Sequence, residues 1–130
     1  MQQTRAQKDL KKAYDLVSQL ESSNEETKKI YGGLCHKFPI LVLSTGLCQA
    51  VAFSESKKGD SKPRELAHKY LLEHTAAILE EKNLLETVRD SSALAYMHQT
   101  RRVLEAFVYF KRFAVSVLKV KGGDDNDDRD

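Results

Sequence analysis

The chain has 130 residues, 41% of them apolar and 31% charged, a balance that suits one globular domain and excludes a fibrous or wholly disordered polymer. Two cysteines, Cys35 and Cys48, are too few for a disulfide framework. The formal net charge of +2 hides an asymmetry, because residues 124–130 hold five Asp and one Arg, a net of −4, which leaves +6 on the rest. A basic body favours an anionic partner, nucleic acid first, although a moderate excess charge also serves solubility alone.

The N-terminus lacks the pattern of a secretory or transit segment, so the expected setting is reducing and cytoplasmic. Thr4 followed by Gln7 reads as a capping box and predicts a helix to about residue 21. Ala6, Leu10, Ala13, Leu16, Val17 and Leu20 recur at helical spacing and form its inward stripe. Arg5, Lys8, Lys11 and Lys12 lie opposite, either a strip for phosphate or an ordinary solvated face.

Residues 22–26 are a break with an N-cap signature, and a second helix is expected to about residue 36. Gly32 and Gly33 inside it suit close approach to another helix or to a nucleic-acid backbone. Lys37 stands before Phe38 and Pro39, and the residue before a proline avoids helical geometry. It is therefore expected at an exposed corner. The chain is organised around residues 31–53, its longest low-charge run. From Pro39 to Phe53 the run is apolar on nearly every side of a helical wheel, which predicts a buried central helix with Pro39 in its first turn. The run falls short of the roughly 20 apolar residues that a bilayer requires, so a membrane span is not expected.

Residues 54–62 form a polar loop, with Asp60 or Ser61 placed to cap a helix that begins at Pro63 and runs to about residue 83. Leu66, Tyr70, Leu71, Ala77 and Ile78 share one face of it. Leu72 and Leu79 lie on another, as the surface for a partner protein or as a second layer of the same core. A short helical turn is expected over 84–90. The last helix follows, capped by Asp90, Ser91 or Ser92 and ending near Val120 with Gly122 as its stop. Its inward stripe is expected to hold Ala93, Met97, Leu104, Phe107, Phe110, Ala114, Val115, Val117 and Leu118. Arg101, Arg102, Arg112 and Lys119 are expected outward, with Tyr109 and Phe113 among them. Basic residues interleaved with aromatics suit RNA and equally suit a protein interface. Lys111 falls within the inward stripe, so it snorkels past the core edge or meets a second molecule. The fold class predicted is all-α, a bundle of about five to six helices in one domain over 1–121, with residues 122–130 a disordered acidic tail.

Catalytic constellations are weak. Glu65 and His68 match one half of a di-iron carboxylate site, with no second half evident. Arg64 and His68 are one residue too close for a helical-ribonuclease pattern of Arg, four residues, then His. The histidines His36, His68, His74 and His98 lack zinc spacing with the cysteines. No catalytic residue, metal or cofactor is therefore expected.

Three segments in register, TRAQKDLKKAYDLV, YGGLCHKFPILVLSTGLCQAVAF and YMHQTRRVLEAFVYFKRFAVSVLK, resemble the small subunit of the Cmr complex, the type III-B CRISPR RNA-guided effector. The resemblance leaves out mainly loops and the acidic tail. It implies a non-catalytic helical subunit for antiviral defence. Such subunits stack with further copies of themselves along the filament, beside backbone subunits, lining the groove that holds guide and target RNA. It implies RNA contacts for Arg5, Lys37, Arg101, Arg102, Lys111 and Arg112, to which Lys8 of the basic strip is added. Leu72, Leu79 and Phe113 are the candidates for the subunit interface. The family often carries a tryptophan near the final Lys-Arg pair; this chain has none and offers Tyr109 and Phe110 there. The alternatives are a helical module that binds only protein, and a helical ribonuclease using His68 or His98. Deleting residues 122–130 is expected to leave the melting temperature unchanged to within about 2 °C. A large drop, read by circular dichroism, would show the tail packed.

Overall fold

The computed structural model describes residues 2–120; the acidic tail and the expected stop at Gly122 lie outside the described residues. Among the described residues six helices follow in order: α1 Arg5–Ser18, α2 Glu25–Thr45, α3 Leu47–Lys57, α4 Pro63–Leu79, α5 Leu84–Asp90 and α6 Ala93–Ser116. The architecture is an all-α bundle. α2 runs through its middle and packs against α4, α6 and α3, while α1 lies across α6 and α4.

The N-terminal caps follow the sequence. The Thr4 hydroxyl accepts from the Gln7 N–H and the Gln7 side chain accepts from the Thr4 N–H, closing the capping box. Asn24 caps α2, and Glu25 and Glu26 sit in its first turn where the helix dipole favours acid. Ser92 caps α6. At α4 the expected cap shifts by a residue. Lys62 is the N-cap, and Glu65 accepts from the Lys62 N–H and the Ser61 hydroxyl. Asp60 instead pairs with Lys69. Three helices also end earlier than expected: α1 at Ser18, α4 at Leu79 with Glu80 left-handed at φ 58°, and α6 at Ser116.

The central run departs most from expectation. Pro39 does not start a helix; it lies inside α2, which continues six residues past it. A proline removes one helical hydrogen bond and disfavours helix before it. Packing on both sides outweighs that local cost, with Phe38 and Val42 buried and Phe38 lying 5.1 Å from Phe107 between ring centroids. Lys37 is therefore a half-buried helical residue and not an exposed corner. The break falls at Gly46, where φ 93° and ψ 155° form a region closed to residues with a Cβ. Gly46 ends α2 and begins α3, and the Cys48 N–H of α3 donates to the Tyr96 hydroxyl of α6 at 2.9 Å. Nor is the run buried all round, since Ile40 is 66% exposed and Leu43 74%.

The core holds a polar seam between α2 and α4. Tyr31 and His74 are both buried, and the phenol and imidazole Nδ1 share a 2.6 Å hydrogen bond. The His74 ring stacks on Tyr70 and Phe110. Burial lowers the His74 pKa from 6.5 to about 4. Burial, with Cys35 adding to it, raises the Tyr31 phenol well above its ordinary range, and burial pushes the Cys35 thiol up to about 12. All three groups are thus neutral near pH 7.

Leu72 and Leu79 are buried, covered on their flank of α4 by α3 and α5. They form the second layer of the core and leave no surface for a neighbouring subunit. α6 is also rotated from expectation. Val103, Ala106, Phe107, Phe110 and Ala114 face inward, while Ala93, Met97 and Val115 are exposed. Beyond α6, Lys119 turns left-handed at φ 63° and Val120 folds back onto α2.

Gly32 makes that return possible, since a Cβ there would overlap the Val120 side chain at Cγ1. Gly32→Ala gains about 1 kcal/mol of helix propensity but displaces a buried valine worth roughly 2 kcal/mol. A net loss of about 1 kcal/mol is expected, read as a melting temperature lower by about 3–5 °C. The double variant Gly32→Ala/Val120→Ala should cost less than the two single changes together.

His74 sets a pH dependence. The unfolded chain binds a proton to this imidazole below pH 6.5, whereas the folded chain resists until about 4. Stability from this group is therefore complete above 6.5 and is lost as pH falls through that window, by roughly 3 kcal/mol at the acid end. Urea midpoints at pH 7, 5.5 and 4.5 should fall more steeply for the natural chain than for His74→Phe; equal slopes would refute the assignment.

Candidate nucleic-acid interface

The seven cations expected to meet RNA do not converge on one site. Arg5 and Lys8 are exposed on α1, as is Lys11. Lys12, in the same strip, is drawn inward and its Nζ donates to the Ala77 carbonyl at 3.1 Å, tying α1 to the end of α4.

On α6, Arg101 and Arg112 are both exposed. Eleven residues apart, they lie within about 20° of each other around the helix and about 16 Å apart along it. They form one ridge. Among the described residues neither is in an ion pair. Lys111 lies about 100° away on one flank of this ridge, half-buried and likewise outside any ion pair among the described residues.

Arg102 lies on the other flank, half-buried and turned toward α1. Its guanidinium reaches Asp9 Oδ1 of α1 at 3.3 Å and approaches Glu80 Oε1 at 3.8 Å. Asp9 is almost wholly buried. A buried carboxylate requires such a partner, because removing either side strands a charge out of water. Arg102 therefore joins α1, α6 and the end of α4, which accounts for its withdrawal from the outward face. Beside it, Phe113 is half-buried and meets Tyr14 edge-on at 5.3 Å, so its ring helps to seat α1. Tyr109 is half-buried against the core too. Neither aromatic ring stands free for stacking, as the sequence pattern suggests it should.

The outward face of α6 is instead a mixture. Leu94, Met97, Val108 and Val115 are exposed among Arg101, Glu105 and Arg112. Regular 100° spacing puts Met97 and Val115 inside, but the true core stripe is narrower and turned toward Val103 and Ala106.

Lys37 belongs elsewhere. It lines a cleft of about 450 Å³ between α2, α3 and α4, together with Lys57 and Arg64. Neither of these last two belongs to a segment that carries the family resemblance. A faint signal is available in Phe53, which ends the apolar run one turn before Lys57. Its exposure depends on the separation of α3 from α2 at Gly46.

Two of the residues with catalytic potential, His68 and Glu65, are engaged in structure. His68 is buried and its Nδ1 hydrogen-bonds the Ser54 hydroxyl at 2.7 Å. Glu65 belongs to the α4 cap. His98 is exposed on α6. Among the described residues, no group of three His, Cys, Asp or Glu side chains is placed to hold a metal ion. No helix among them is long and apolar enough to cross a membrane.

Known proteins match this architecture along nearly its whole length. The family model described as CRISPR-associated protein (Cas_Cmr5) matches residues 5–117. The CRISPR system Cmr subunit Cmr5 of Thermus thermophilus is 37% identical over 119 residues, covering 89% of this chain and 97% of that protein. The crystal structure of a CRISPR-associated Cmr5 family protein, also from Thermus thermophilus, superposes with a TM-score of 0.75 at 34% identity, covering 89% of this chain and 98% of the other. The six-helix bundle and the segments that compose it place this chain in the Cmr5 family of CRISPR-associated proteins.

Proposed function

We propose that this chain is a non-catalytic structural subunit of a Cmr effector complex, stacking beside the backbone subunits and helping to hold guide and target RNA. Family membership supports the subunit role. The observation that carries the RNA role is the exposed ridge of Arg101 and Arg112, with Arg5, Lys8 and Lys11 presented on the adjoining helix. Base pairing between guide and target reads sequence, so a subunit that meets the phosphate backbone needs only cations at suitable spacing. Lys111 adds a charge at the edge of the ridge. Leu94, Met97 and Val108 supply the apolar surface that a stacked neighbour covers.

That same apolar surface favours a second reading, a helical module that binds only protein through α6. A further rival, a ribonuclease, predicts steady cleavage of labelled RNA that is abolished on changing His68 or His98; intact RNA with and without divalent metal is the expected result.

Binding of guide–target RNA by the assembled complex, at two salt concentrations, separates the first two readings. With Arg101→Ala, Lys111→Ala and Arg112→Ala combined, affinity at low salt is expected to fall about tenfold. The slope against salt should become shallower by about one for each phosphate that these side chains no longer neutralise. Arg102→Met should behave differently, lowering the melting temperature first because Asp9 is stranded. Unchanged affinity and slope in the triple variant would favour the protein-only module.

A further inference from the structure

Where α1 lies across α6, one aromatic ring stands largely in water. Tyr14 is 49% exposed, more than any other aromatic residue among the described residues. Phe113 of α6 meets it with 5.3 Å between ring centroids and 77° between planes. A near-perpendicular contact fixes the plane of the phenol ring and occupies at most one of its faces. The Tyr14 hydroxyl makes no hydrogen bond among the described residues, so packing alone holds the ring. Leu10, one turn earlier on the same side of α1, is exposed too and extends the apolar surface.

The charges around this ring are mostly positive. Lys11 lies one turn before Tyr14 on α1, and Arg112 precedes Phe113 on α6. On the exposed faces of the two helices, Arg5, Lys8, Lys11, Arg101 and Arg112 outnumber the acids Asp15 and Glu105. None of these seven side chains is in an ion pair among the described residues, so the cations are not neutralised within the chain. Cations spread over two helices suit a run of phosphates, whereas a single carboxylate answers only one of them. The ring selects the rest of the ligand. A protein side chain anchors in a pocket, and Tyr14 belongs neither to the cleft between α2, α3 and α4 nor to those beside α5. A ring with a fixed plane matches a planar partner, and every nucleobase offers it a π face. Bases inside a duplex stack on one another and present backbone to a protein, so the base that fits here is an unpaired one.

We infer that Tyr14 is a stacking platform for an unpaired base of the RNA held by the assembly, with Lys11 and Arg112 placed to meet the phosphates near that base. This rests on the reading of the chain as an RNA-holding subunit. It adds to the phosphate contacts of the α6 ridge a contact whose strength does not come from charge.

The test compares assembled, guide-loaded complexes that carry the natural chain, Tyr14→Phe, Tyr14→Leu, or the combined Arg101→Ala, Lys111→Ala and Arg112→Ala changes. Each is titrated with target RNA at two salt concentrations. Tyr14→Phe should keep the natural affinity, because the hydroxyl it removes has no partner. Tyr14→Leu keeps apolar volume but loses the π face, so affinity should fall about tenfold with the salt slope unchanged. Melting temperatures of both should stay within a few degrees of the natural chain, since the ring is half in water. In parallel, target RNA with 5-iodouridine at a paired or an unpaired position is irradiated and the crosslinked residue is mapped. The unpaired position should crosslink to Tyr14. Natural affinity in Tyr14→Leu, or no crosslink at Tyr14 from an unpaired base, would overturn the inference, while a shallower salt slope in the triple variant would still uphold the RNA role. An unchanged slope and affinity in the triple variant would remove that role and this inference with it. Should Tyr14→Leu melt far lower, the crosslink in the natural chain decides.

Discussion

The hydrogen bond between Tyr31 and His74 fixes the helix pair on which every other element leans. Both groups are buried in apolar surroundings, where an unpaired phenol or imidazole would be costly. Satisfying one with the other sets the axial register of α2 against α4, because a shift by one turn would strand both. The stack of Tyr70, His74 and Phe110 then carries that register to α6. A polar pair of this kind adds little net stability compared with a well-packed apolar pair. Its effect is to make one arrangement of a small helical core preferable to its neighbours.

A second constraint divides the cations of the chain into separate kinds. Asp9 is buried and draws Arg102 inward, and the Ala77 carbonyl draws Lys12. These charges hold α1 in place and are withdrawn from the surface. Arg101 and Arg112 remain outside because the core stripe of α6 lies on the other side of the helix. Position around the helix, set by which residues the core takes, thus decides which positive charges are available to a polyanion.

The helices, their order and most of their starts are legible in the sequence, because Thr4, the stretch 22–26 and the stretch 90–92 each carry the local chemistry of a helix start, although the capping residue itself, Asn24 or Ser92, is fixed only by the fold. The central run is less so. Pro39 carries a strong local preference, and only the burial of Phe38 and Val42 on either side of it reverses the outcome. Gly46 carries the opposite message, since a lone glycine in an apolar run gives no sign that φ must be positive there. Leu72 and Leu79 show the same limit. Their spacing reveals a second apolar face on α4, but whether α3 and α5 or another molecule covers it is a tertiary fact. The basic residues are legible as a set and not as a site. Arg101, Arg102, Lys111 and Arg112 are close in sequence, yet they divide among an exposed ridge, its flank and a part-buried ion pair. Lys57 and Arg64 give no sign that they border one cleft, because it is made from three helices that meet only in the folded chain.

The single-residue joint at Gly46 also bears on how the length of the chain can vary. A connection with no slack cannot absorb an inserted residue without turning α3 about its axis, which would pull the Cys48 N–H away from Tyr96 and rotate Phe53 out of the cleft between α2, α3 and α4. The polar stretch 58–62 has several residues of slack and is held to α4 by exposed contacts, Asp60 with Lys69 and the Ser61 hydroxyl with Glu65. An added residue in that stretch disturbs surface contacts alone, whereas at the corner of Gly46 it changes the direction of a whole helix.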